Sequence, residues 1–329
     1  MWIADNWKDY QVLGTSGGEK LESWGSYRLI RPDPQVIWTE EKGKAWKKPN
    51  AHYHRSEKGG GAWEFFDLPE EWKIGYDLPG KRLTFNLKPF AFKHTGVFPE
   101  QAANWEWSYR LISERVASGR PVKVLNLFAY TGGATLAAAA AGASVTHVDA
   151  SKGMVAWAKE NAVSSGLEKA PIRWLVDDCR KFVEREIRRG NHYDAIIMDP
   201  PSYGRGPDGE VWKIETSIWP FIELTKALLS EDPLFFLINS YTTGLQPGVL
   251  GYMLDLALNG GRSFVGEGGV SELRTADSGR ASDLRTADSG RARAAIETGE
   301  LGLPVAGTDR VLPEGAAGRA VFSVAASLK

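Results

Sequence analysis

From residue 121 onwards, short apolar runs alternate with longer segments in which apolar residues recur every three or four positions. The runs predict β-strands and the longer segments predict helices. We expect strands at residues 122–128, 144–149, 172–176, 193–198 and 234–239. We expect helices at residues 134–141, 152–165, 180–189, 211–229 and 247–258. This alternation is typical of βαβ units and predicts an α/β fold with a doubly wound, mostly parallel sheet.

The pattern changes after residue 260. Two strand-like runs, at residues 297–305 and 319–326, have no helix between them, which predicts an antiparallel hairpin that completes a seven-stranded sheet. Before them stands a near-repeat, SELRTADSGRA followed by SDLRTADSGRA, at residues 271–292. Two copies are too few for a solenoid, and their polar composition predicts a flexible surface insertion at residues 266–293. A flap over an active site is the alternative.

The first 90 residues differ in composition and in hydrophobic pattern from the rest of the chain. Runs rich in β-branched and aromatic residues predict strands at residues 26–30, 35–39, 62–66 and 82–87. Seven of the thirteen tryptophans lie here, which favours a small aromatic core, although some of them could form a stacking platform for bases. We therefore expect a small β-rich module at residues 1–90 and a larger domain at residues 91–329.

Composition narrows the functional classes. Lys and Arg number 40 against 41 Asp and Glu, so no protein-wide basic field attracts nucleic acid, and any such surface has to be local. A single cysteine excludes a disulfide framework and a cysteine-based metal cluster. The polar start and the short apolar runs lack the pattern of a signal peptide or a membrane span, so we expect a cytoplasmic protein. His52, His54 and His94 show no metal-ligand spacing with nearby carboxylates along the chain, and we expect no metal.

Acidic residues directly follow two of the predicted strands. In a doubly wound sheet, ligands bind beyond the carboxyl ends of the strands. Asp149 follows the second strand, where a carboxylate can accept hydrogen bonds from ribose hydroxyls; capping of the next helix is the alternative. Asp178 follows the third strand, where it could accept from the exocyclic amine of adenine, cap a helix, or do both.

The fourth strand is followed by Asp199, Pro200 and Pro201, the most specific signal in the sequence. Two prolines hold a rigid, extended turn with few free N–H groups. Its carbonyls and the Asp199 carboxylate can accept hydrogen bonds from a planar amine. After the first strand, Gly132 and Gly133 let the backbone approach a ligand, but the spacing fits neither a dinucleotide-binding GxGxxG nor a phosphate-binding loop. An NAD-dependent oxidoreductase is therefore a weaker alternative.

These residues resemble a known family. The segments VLNLFAYTGG, THVDAS, VDDC and IIMDPPSYG, in this order, are similar to those of class I S-adenosylmethionine-dependent methyltransferases, especially bacterial large-subunit ribosomal RNA methyltransferases that act on cytosine or guanine. Residues 92–101 resemble the segment that lies over the methionine end of the cofactor in that group. The resemblance implies a set of cofactor-binding residues: Thr95, Gly96, Gln101, Phe128, Ala129, Tyr130, Thr131, Gly132, Asp149, Ala150, Ser151, Asp178 and Cys179. It also implies that Asp199, Pro200 and Pro201 lie between cofactor and target.

One departure from the family restricts the chemistry. Relatives that methylate carbon-5 of cytosine use a cysteine to attack the ring. The family positions for it hold Ser202 here and the segment Asn239-Ser240-Tyr241, while the single cysteine, Cys179, follows the third strand. We therefore expect direct methyl transfer to a nitrogen or oxygen.

The substrate is open to several interpretations. RNA is our first expectation, and the basic and aromatic residues of segment 42–58 are a candidate contact surface, with a solvated loop as the alternative. A DNA, protein or small-molecule substrate is an alternative, and so is a non-catalytic RNA-binding protein on the same fold. The sequence does not specify the oligomeric state.

Overall fold

The structure is a computed structural model that describes residues 1–56, 60–90, 93–205, 209, 211–260 and 293–322. The expected insertion at residues 266–293 and its near-repeat lie outside the described residues, apart from Arg293.

The N-terminal part is β-rich, as predicted. Its strands are β1 (Trp2–Ile3), β2 (Tyr10–Ser16), β3 (Glu19–Trp24), β4 (Tyr27–Pro32), β5 (Ala51–Arg55), β6 (Gly61–Phe65), β7 (Trp72–Leu78) and β8 (Lys81–Leu87). Strands β2 to β6 form one sheet in chain order, and β7 pairs with β8. The predicted strand at residues 35–39 is wrong. This segment crosses the β2–β3 turn, and the backbone N–H groups of Gly17 and Gly18 each donate to it at 2.8 Å.

Most of the remaining elements alternate between helix and strand. In chain order they are α1 (Ala102–Ala117), β9 (Lys123–Leu127), α2 (Gly133–Ala140), β10 (Ser144–Asp149), α3 (Lys152–Ser164), β11 (Ile172–Val176), α4 (Cys179–Arg188), β12 (Ala195–Met198), β13 (Tyr203–Arg205), β14 (Val211–Lys213), α5 (Ile214–Thr225), β15 (Phe235–Ser240), α6 (Pro247–Asn259), β16 (Ala294–Pro304) and β17 (Val311–Phe322). Every strand and helix predicted from residue 121 to residue 260 has a counterpart here. Helix α1 was not predicted, because its tryptophan- and charge-rich sequence obscures the apolar spacing.

One predicted helix begins too early. Residues 211–213 form β14, which pairs antiparallel with β13 to make a small hairpin directly after the Pro-Pro turn. Helix α5 begins only at Ile214, whose N–H donates to the carbonyl of Ser202 at 3.0 Å. Pairing with β13 therefore replaces the first helical turn that the sequence predicts.

The large sheet has the order β1-β16-β17-β15-β12-β9-β10-β11. Strands β15, β12, β9, β10 and β11 are parallel, and β17 is antiparallel to both β15 and β16. This is the expected seven-stranded sheet with its hairpin, extended at the edge by β1, which pairs with β16. The strand order reverses between β9 and β12, so a ligand crevice is expected at the carboxyl ends of these two strands.

The aromatic core of the N-terminal part continues into the α/β part. Trp105 of α1 packs edge-on against Trp7 and Tyr76, with ring centroids 6.1 and 5.7 Å apart. The indole of Trp7 donates to the carbonyl of Pro99 at 2.8 Å. These buried contacts fix segment 94–101 against the sheet, where it covers the carboxyl end of β9. Within the described ranges, no helix is long and apolar enough to cross a membrane.

Candidate cofactor and catalytic site

A cavity of about 470 Å³ opens at the carboxyl ends of the parallel strands. Its lining combines acidic groups, aromatic rings and the Pro-Pro turn. The lining residues are His94, Phe98, Phe128, Tyr130, Asp149, Ala150, Ser151, Asp178, Cys179, Arg180, Asp199, Pro200, Pro201, Ser202, Gly204, Arg205, Trp212 and Tyr241. The volume lies in the range of small-molecule sites, and the position is the one that the strand order predicts.

The loop between β9 and α2 has an unusual backbone. Phe128 and Tyr130 both adopt left-handed conformations, with φ of 55° and 49°, and Gly132 follows with φ of 88°. A non-glycine residue in this region costs about 1–3 kcal/mol, and such strain is concentrated at functional sites. The strain turns the loop so that the N–H of Tyr130 donates to Asp149 Oδ2 at 2.8 Å. The loop is thereby fixed against the end of β10.

Asp149 is held by backbone donors rather than acting as a helix cap. Its two carboxylate oxygens accept from the N–H groups of Tyr130 and Ser151, each at 2.8 Å. The cap of α3 is Ser151, whose hydroxyl accepts from Met154 N at 3.3 Å. Burial raises the pKa of Asp149, while the two hydrogen bonds oppose this rise. The carboxylate is thus fixed in place with acceptor capacity left for a ligand.

Asp178 and Cys179 begin helix α4. Asp178 caps the helix, with Oδ1 accepting from Lys181 N at 2.8 Å, and it also lines the cavity. Cys179 is 3% exposed, and its sulfur accepts from the N–H of Phe128 at 3.4 Å. Burial raises the pKa of the Cys179 thiol well above its ordinary value, so the thiolate needed for nucleophilic attack is disfavoured. Cys179 is part of the cavity wall.

The Asp199-Pro200-Pro201 turn faces the same cavity. The indole of Trp212, on β14, donates to the carbonyl of Pro201 at 2.7 Å, so the small hairpin supports the turn. The hydroxyls of Ser202 and Thr242 are 2.5 Å apart and join this loop to the one after β15. Burial, together with the neighbouring Glu100 carboxyl, raises the pKa of Asp199 to about 7. Asp199 therefore changes charge close to neutral pH.

A buried hydrogen-bond chain positions Tyr241 beside this turn. Gln101 Nε2 donates to the Tyr241 hydroxyl at 2.7 Å, and Asn104 Nδ2 donates to Gln101 Oε1 at 3.0 Å. Asn104 Nδ2 also lies 2.8 Å from Asn239 Oδ1, and its own oxygen accepts from Arg319 at 2.7 Å. The chain runs from β17 through α1 to the end of β15. Burial and the nearby Glu100 and Asp199 carboxyls raise the pKa of Tyr241, which stays a neutral phenol.

The structure brings most of the predicted site residues together. The main cavity is lined by ten of them: Phe128, Tyr130, Asp149, Ala150, Ser151, Asp178, Cys179, Asp199, Pro200 and Pro201. Three more, Gln101, Ala129 and Thr131, line an adjoining cavity of about 50 Å³ that shares Phe98, Phe128, Tyr130 and Asp199 with the first. Thr95, Gly96 and Gly132 line neither cavity.

The two glycines of this last group shape the backbone around the site. The carbonyl of Gly96 accepts from the Thr131 hydroxyl at 2.5 Å, and a Cβ at Gly96 would approach the Trp157 ring to 2.4 Å. A Cβ at Gly132 would lie 3.1 Å from Ala158. Both positions also have a positive φ. Glycine therefore allows the loop and the preceding segment to pack closely, whatever contact these residues make with a ligand.

Several lining residues were not singled out from the sequence. Phe98 lies 5.4 Å from Tyr130 and 5.5 Å from Tyr241 between ring centroids, and His94 lies 5.3 Å from Phe98. Burial, with nearby cationic side chains, lowers the pKa of His94 to about 4, so its imidazole is neutral at pH 7. Tyr241 could have been found, because it follows directly after the predicted fifth strand. Trp212 had no such signal, since its segment reads as helix.

The hydrogen-bond acceptors of the cavity fit S-adenosylmethionine. Asp149 and Asp178 stand at the ends of the adjacent strands β10 and β11, and the strained loop with Gly132 lies beside them. Such a carboxylate pair suits a nucleoside with ribose hydroxyls and an exocyclic amine. Asp199 lies in the same cavity, at the end of β12. The site can therefore hold a nucleoside-containing cofactor with an acceptor group next to it.

Comparison with known proteins agrees with this geometry. A family model described as S-adenosylmethionine-dependent methyltransferase matches residues 51–211. A crystal structure of the S-adenosylmethionine-dependent methyltransferase from Agrobacterium tumefaciens is 35% identical, with a TM-score of 0.80, over 97% of this chain and 93% of that one. Two further solved structures share the fold: a putative methyltransferase complexed with S-adenosylhomocysteine, and a putative S-adenosylmethionine-dependent methyltransferase from Streptococcus mutans. Each is 18% identical with a TM-score of 0.64, over 96% of this chain and 76% of the other.

Curated relatives match a shorter part of the chain. Proteins named ribosomal RNA large subunit methyltransferase K/L from Shewanella baltica and Pseudoalteromonas atlantica are 37% and 39% identical over 120 residues. That segment is 36% of this chain and only 16% of the length of each relative. The full-length similarity to the Agrobacterium enzyme, together with the cavity, is decisive: the chain belongs to the S-adenosylmethionine-dependent methyltransferases and is an enzyme of that class.

Proposed function

We propose that this methyltransferase modifies a nitrogen or oxygen of a nucleotide in ribosomal or other structured RNA by direct methyl transfer. The observation that carries the proposal is the Asp199-Pro200-Pro201 turn, which shares a cavity with Asp149 and Asp178 while the single cysteine is buried in the wall. This arrangement supports a hydrogen-bond acceptor for the target rather than a covalent nucleophile. The names of the curated relatives support an RNA substrate.

We assign the cofactor contacts as follows. S-adenosylmethionine supplies, when bound, a methyl group activated by its positively charged sulfur. Asp149 accepts hydrogen bonds from the ribose hydroxyls, since its carboxylate is already oriented by two backbone N–H groups. Asp178 accepts from the adenine amine with the oxygen capacity that remains beyond its helix cap. Gln101, Thr131 and the neighbouring loop residues bound the adjoining cavity, which we assign to the methionine end.

At the target end, Asp199 orients the nucleophile and accepts its proton. The target atom would form its bond to the methyl carbon as the methyl–sulfur bond breaks and S-adenosylhomocysteine leaves. The proton that the target atom loses would pass to the Asp199 carboxylate. A pKa of about 7 suits this role, because the group is ionised in part at neutral pH and gains basicity from its burial. The carbonyl of Pro201 already accepts from Trp212, so we assign the second acceptor role to the carbonyl of Pro200. Phe98, Trp212 and Tyr241 offer aromatic faces for a planar base.

A local basic surface supports RNA as the partner. Lys47 and Lys48 are exposed at the end of a short turn at Lys44–Lys47, and Lys42 lies over the ring of Trp46, 4.6 Å from its centroid. Cations beside an aromatic ring suit phosphates and unstacked bases. We propose that the module at residues 1–90 presents this surface to RNA while residues 91–329 carry out catalysis. We also propose that the enzyme works in the cytoplasm, where such RNA is found.

The first test is calorimetric titration of the full chain with S-adenosylhomocysteine, with NADH as the control. We expect micromolar binding of the first and none of the second. The enzyme is then incubated with labelled S-adenosylmethionine and ribosomal RNA from a strain that lacks the gene, and the product nucleoside is identified by mass mapping. Labelling should be absent with Asp199→Asn and with RNA that is already modified. Cofactor binding without labelling of RNA, combined with labelling of DNA, protein or a small molecule, would refute the RNA assignment.

A further inference from the structure

Three potential metal ligands converge on one face of the N-terminal sheet, away from the cofactor cavity. His52 and His54 are two residues apart on β5, so their side chains point to the same face. Glu64 on β6 pairs directly with His52 in the antiparallel register and lies on that face too. One ligand atom from each of the three side chains lies within 4.8 Å of the other two.

A fourth ligand comes from β3. Glu19 Oε1 lies 2.6 Å from His52 Nε2, and Glu64 Oε2 lies 2.8 Å from His54 Nε2. The two imidazole rings are adjacent, with centroids 4.0 Å apart. The sequence led us to expect no metal, because these histidines lack neighbouring carboxylates along the chain. The sheet, however, brings carboxylates from β3 and β6 next to these histidines, although they are distant along the chain.

We propose that Glu19, His52, His54 and Glu64 bind one zinc ion. Zinc is held by four ligands in tetrahedral geometry, with about 2.0–2.1 Å to histidine nitrogen and about 2.0–2.2 Å to carboxylate oxygen. Such bonds place neighbouring ligand atoms about 3.3 Å apart. Ligand atoms of His52, His54 and Glu64 lie within 4.8 Å of one another, and Glu19 Oε1 lies 2.6 Å from His52 Nε2. Binding of one ion would require side-chain rotations that bring all four ligands to this spacing. Two imidazoles in the set favour zinc over magnesium or calcium, which prefer oxygen ligands.

The position of the site suggests what the zinc does. Strands β4 and β5 are joined by only two register pairs, Leu29 with Ala51 and Ile30 with His52. The β5–β6 hairpin therefore joins the rest of its sheet through a short β-ladder. An ion bound by side chains of β3, β5 and β6 would fasten the hairpin across this short junction. Lys42 Nζ, 2.6 Å from Glu19 Oε2, would orient the Glu19 ligand from outside.

The same contacts are compatible with a simpler arrangement, in which His52–Glu19 and His54–Glu64 are two ion pairs without a metal. Calorimetry separates the two. The full chain without an affinity tag is dialysed against a chelator and then into chelator-free buffer, and is titrated with zinc chloride. We expect one ion per chain, a dissociation constant in the micromolar range or tighter, and a rise in melting temperature of about 3 °C or more at saturating zinc.

Matched variants locate the binding. His54→Ala and Glu64→Gln change exposed side chains, so both should fold, and their melting temperatures without zinc should stay near that of the wild type. Their zinc affinity should fall by about tenfold or more, and the zinc-dependent rise in melting temperature should disappear. His192→Ala, at an exposed histidine outside the cluster, is the control and should bind zinc like the wild type. Binding that is absent in the wild type, or unchanged in both cluster variants, would overturn the proposal.

Discussion

The Glu100 carboxyl offers a way to change the pH dependence of methyl transfer without touching the reacting groups. Glu100 is 3% exposed, and its charge is one of the two causes that raise the pKa of Asp199. In the proposed mechanism, Asp199 accepts the proton only as a carboxylate, so activity should be present above its pKa and be lost as the pH falls through it. Glu100→Gln keeps the size and polarity of the side chain but removes the charge. The acid limb of the rate profile should therefore move to lower pH.

The size of the movement follows from the structure. The pKa of Asp199 is raised from 3.8 to about 7, and burial is a larger cause than Glu100. Glu100 then accounts for less than half of a rise of about 3, and its removal should lower the pKa by about 1, or about 1.4 kcal/mol. At pH 6, the ionised fraction of Asp199 would increase from about one tenth to about one half. The variant should be about fivefold faster than the wild type at pH 6 and equal to it near pH 8.

The measurement is kcat/KM for methyl transfer from pH 5.5 to 8.5, because this ratio reports ionisation in the free enzyme. S-adenosylhomocysteine affinity and melting temperature are measured in parallel, to show that the variant folds and binds the cofactor. Glu114→Gln, at an exposed residue on helix α1, is the matched control and should leave the profile unchanged. An unchanged midpoint in Glu100→Gln, or a wild-type profile without an acid limb near pH 7, would refute the reasoning.

Three other substitutions test separate parts of the site. Asp149→Ala removes the ribose acceptor and should weaken S-adenosylhomocysteine binding by about tenfold or more in calorimetry, whereas unchanged affinity would contradict its assignment. Trp212→Phe removes the hydrogen-bond donor to the Pro201 carbonyl and should lower kcat by severalfold with little change in cofactor affinity. A loss of cofactor affinity alone would contradict the proposed role of Trp212 in supporting the turn. Replacing Lys47 and Lys48 together by Glu should weaken RNA binding and reduce the dependence of the affinity on salt concentration, measured by filter binding. An unchanged salt dependence would show that this segment is a solvated loop that does not contact RNA.

The strand-end residues could be predicted because the fold places them by a simple rule. Parallel strands deliver their carboxyl ends to one edge of the sheet, so Asp149, Asp178 and Asp199 converge although they are far apart in the sequence. Asp149 and Asp199 also follow apolar runs that are largely buried, whereas β11, before Asp178, is an edge strand with half-buried and exposed residues. The limits of these parallel strands were predicted to within two residues, but the last strand was not, since β17 begins at Val311 rather than at residue 319. The position of strand ends does not predict residues that reach the site from elements ending elsewhere.

The missed residues illustrate that limit. Trp212 reaches the Pro-Pro turn only because residues 211–213 pair with β13 instead of extending α5, and the choice between the two depends on a tertiary contact with the loop after β12. The Glu19, His52 and Glu64 side chains are likewise joined by pairing between strands. The spacing of residues along the chain does not predict which strands pair. Sequence patterns therefore located the cofactor end of the site better than the surfaces around it.

Buried ion pairs connect the N-terminal part of the chain to the α/β part. Lys20 on β3 forms ion pairs with Asp33 at 3.1 Å and with Glu314 on β17, and Arg31 holds Glu22 at 2.6 Å beside them. Buried charges need partners, since an unpaired one costs several kcal/mol. Without the N-terminal strands, Glu314 would lose its buried cation, and Glu100 would lose the nearby Lys20 that lowers its pKa. Because Glu100 in turn raises the pKa of Asp199, the charge of this proposed catalytic carboxylate depends on residues from both parts of the chain.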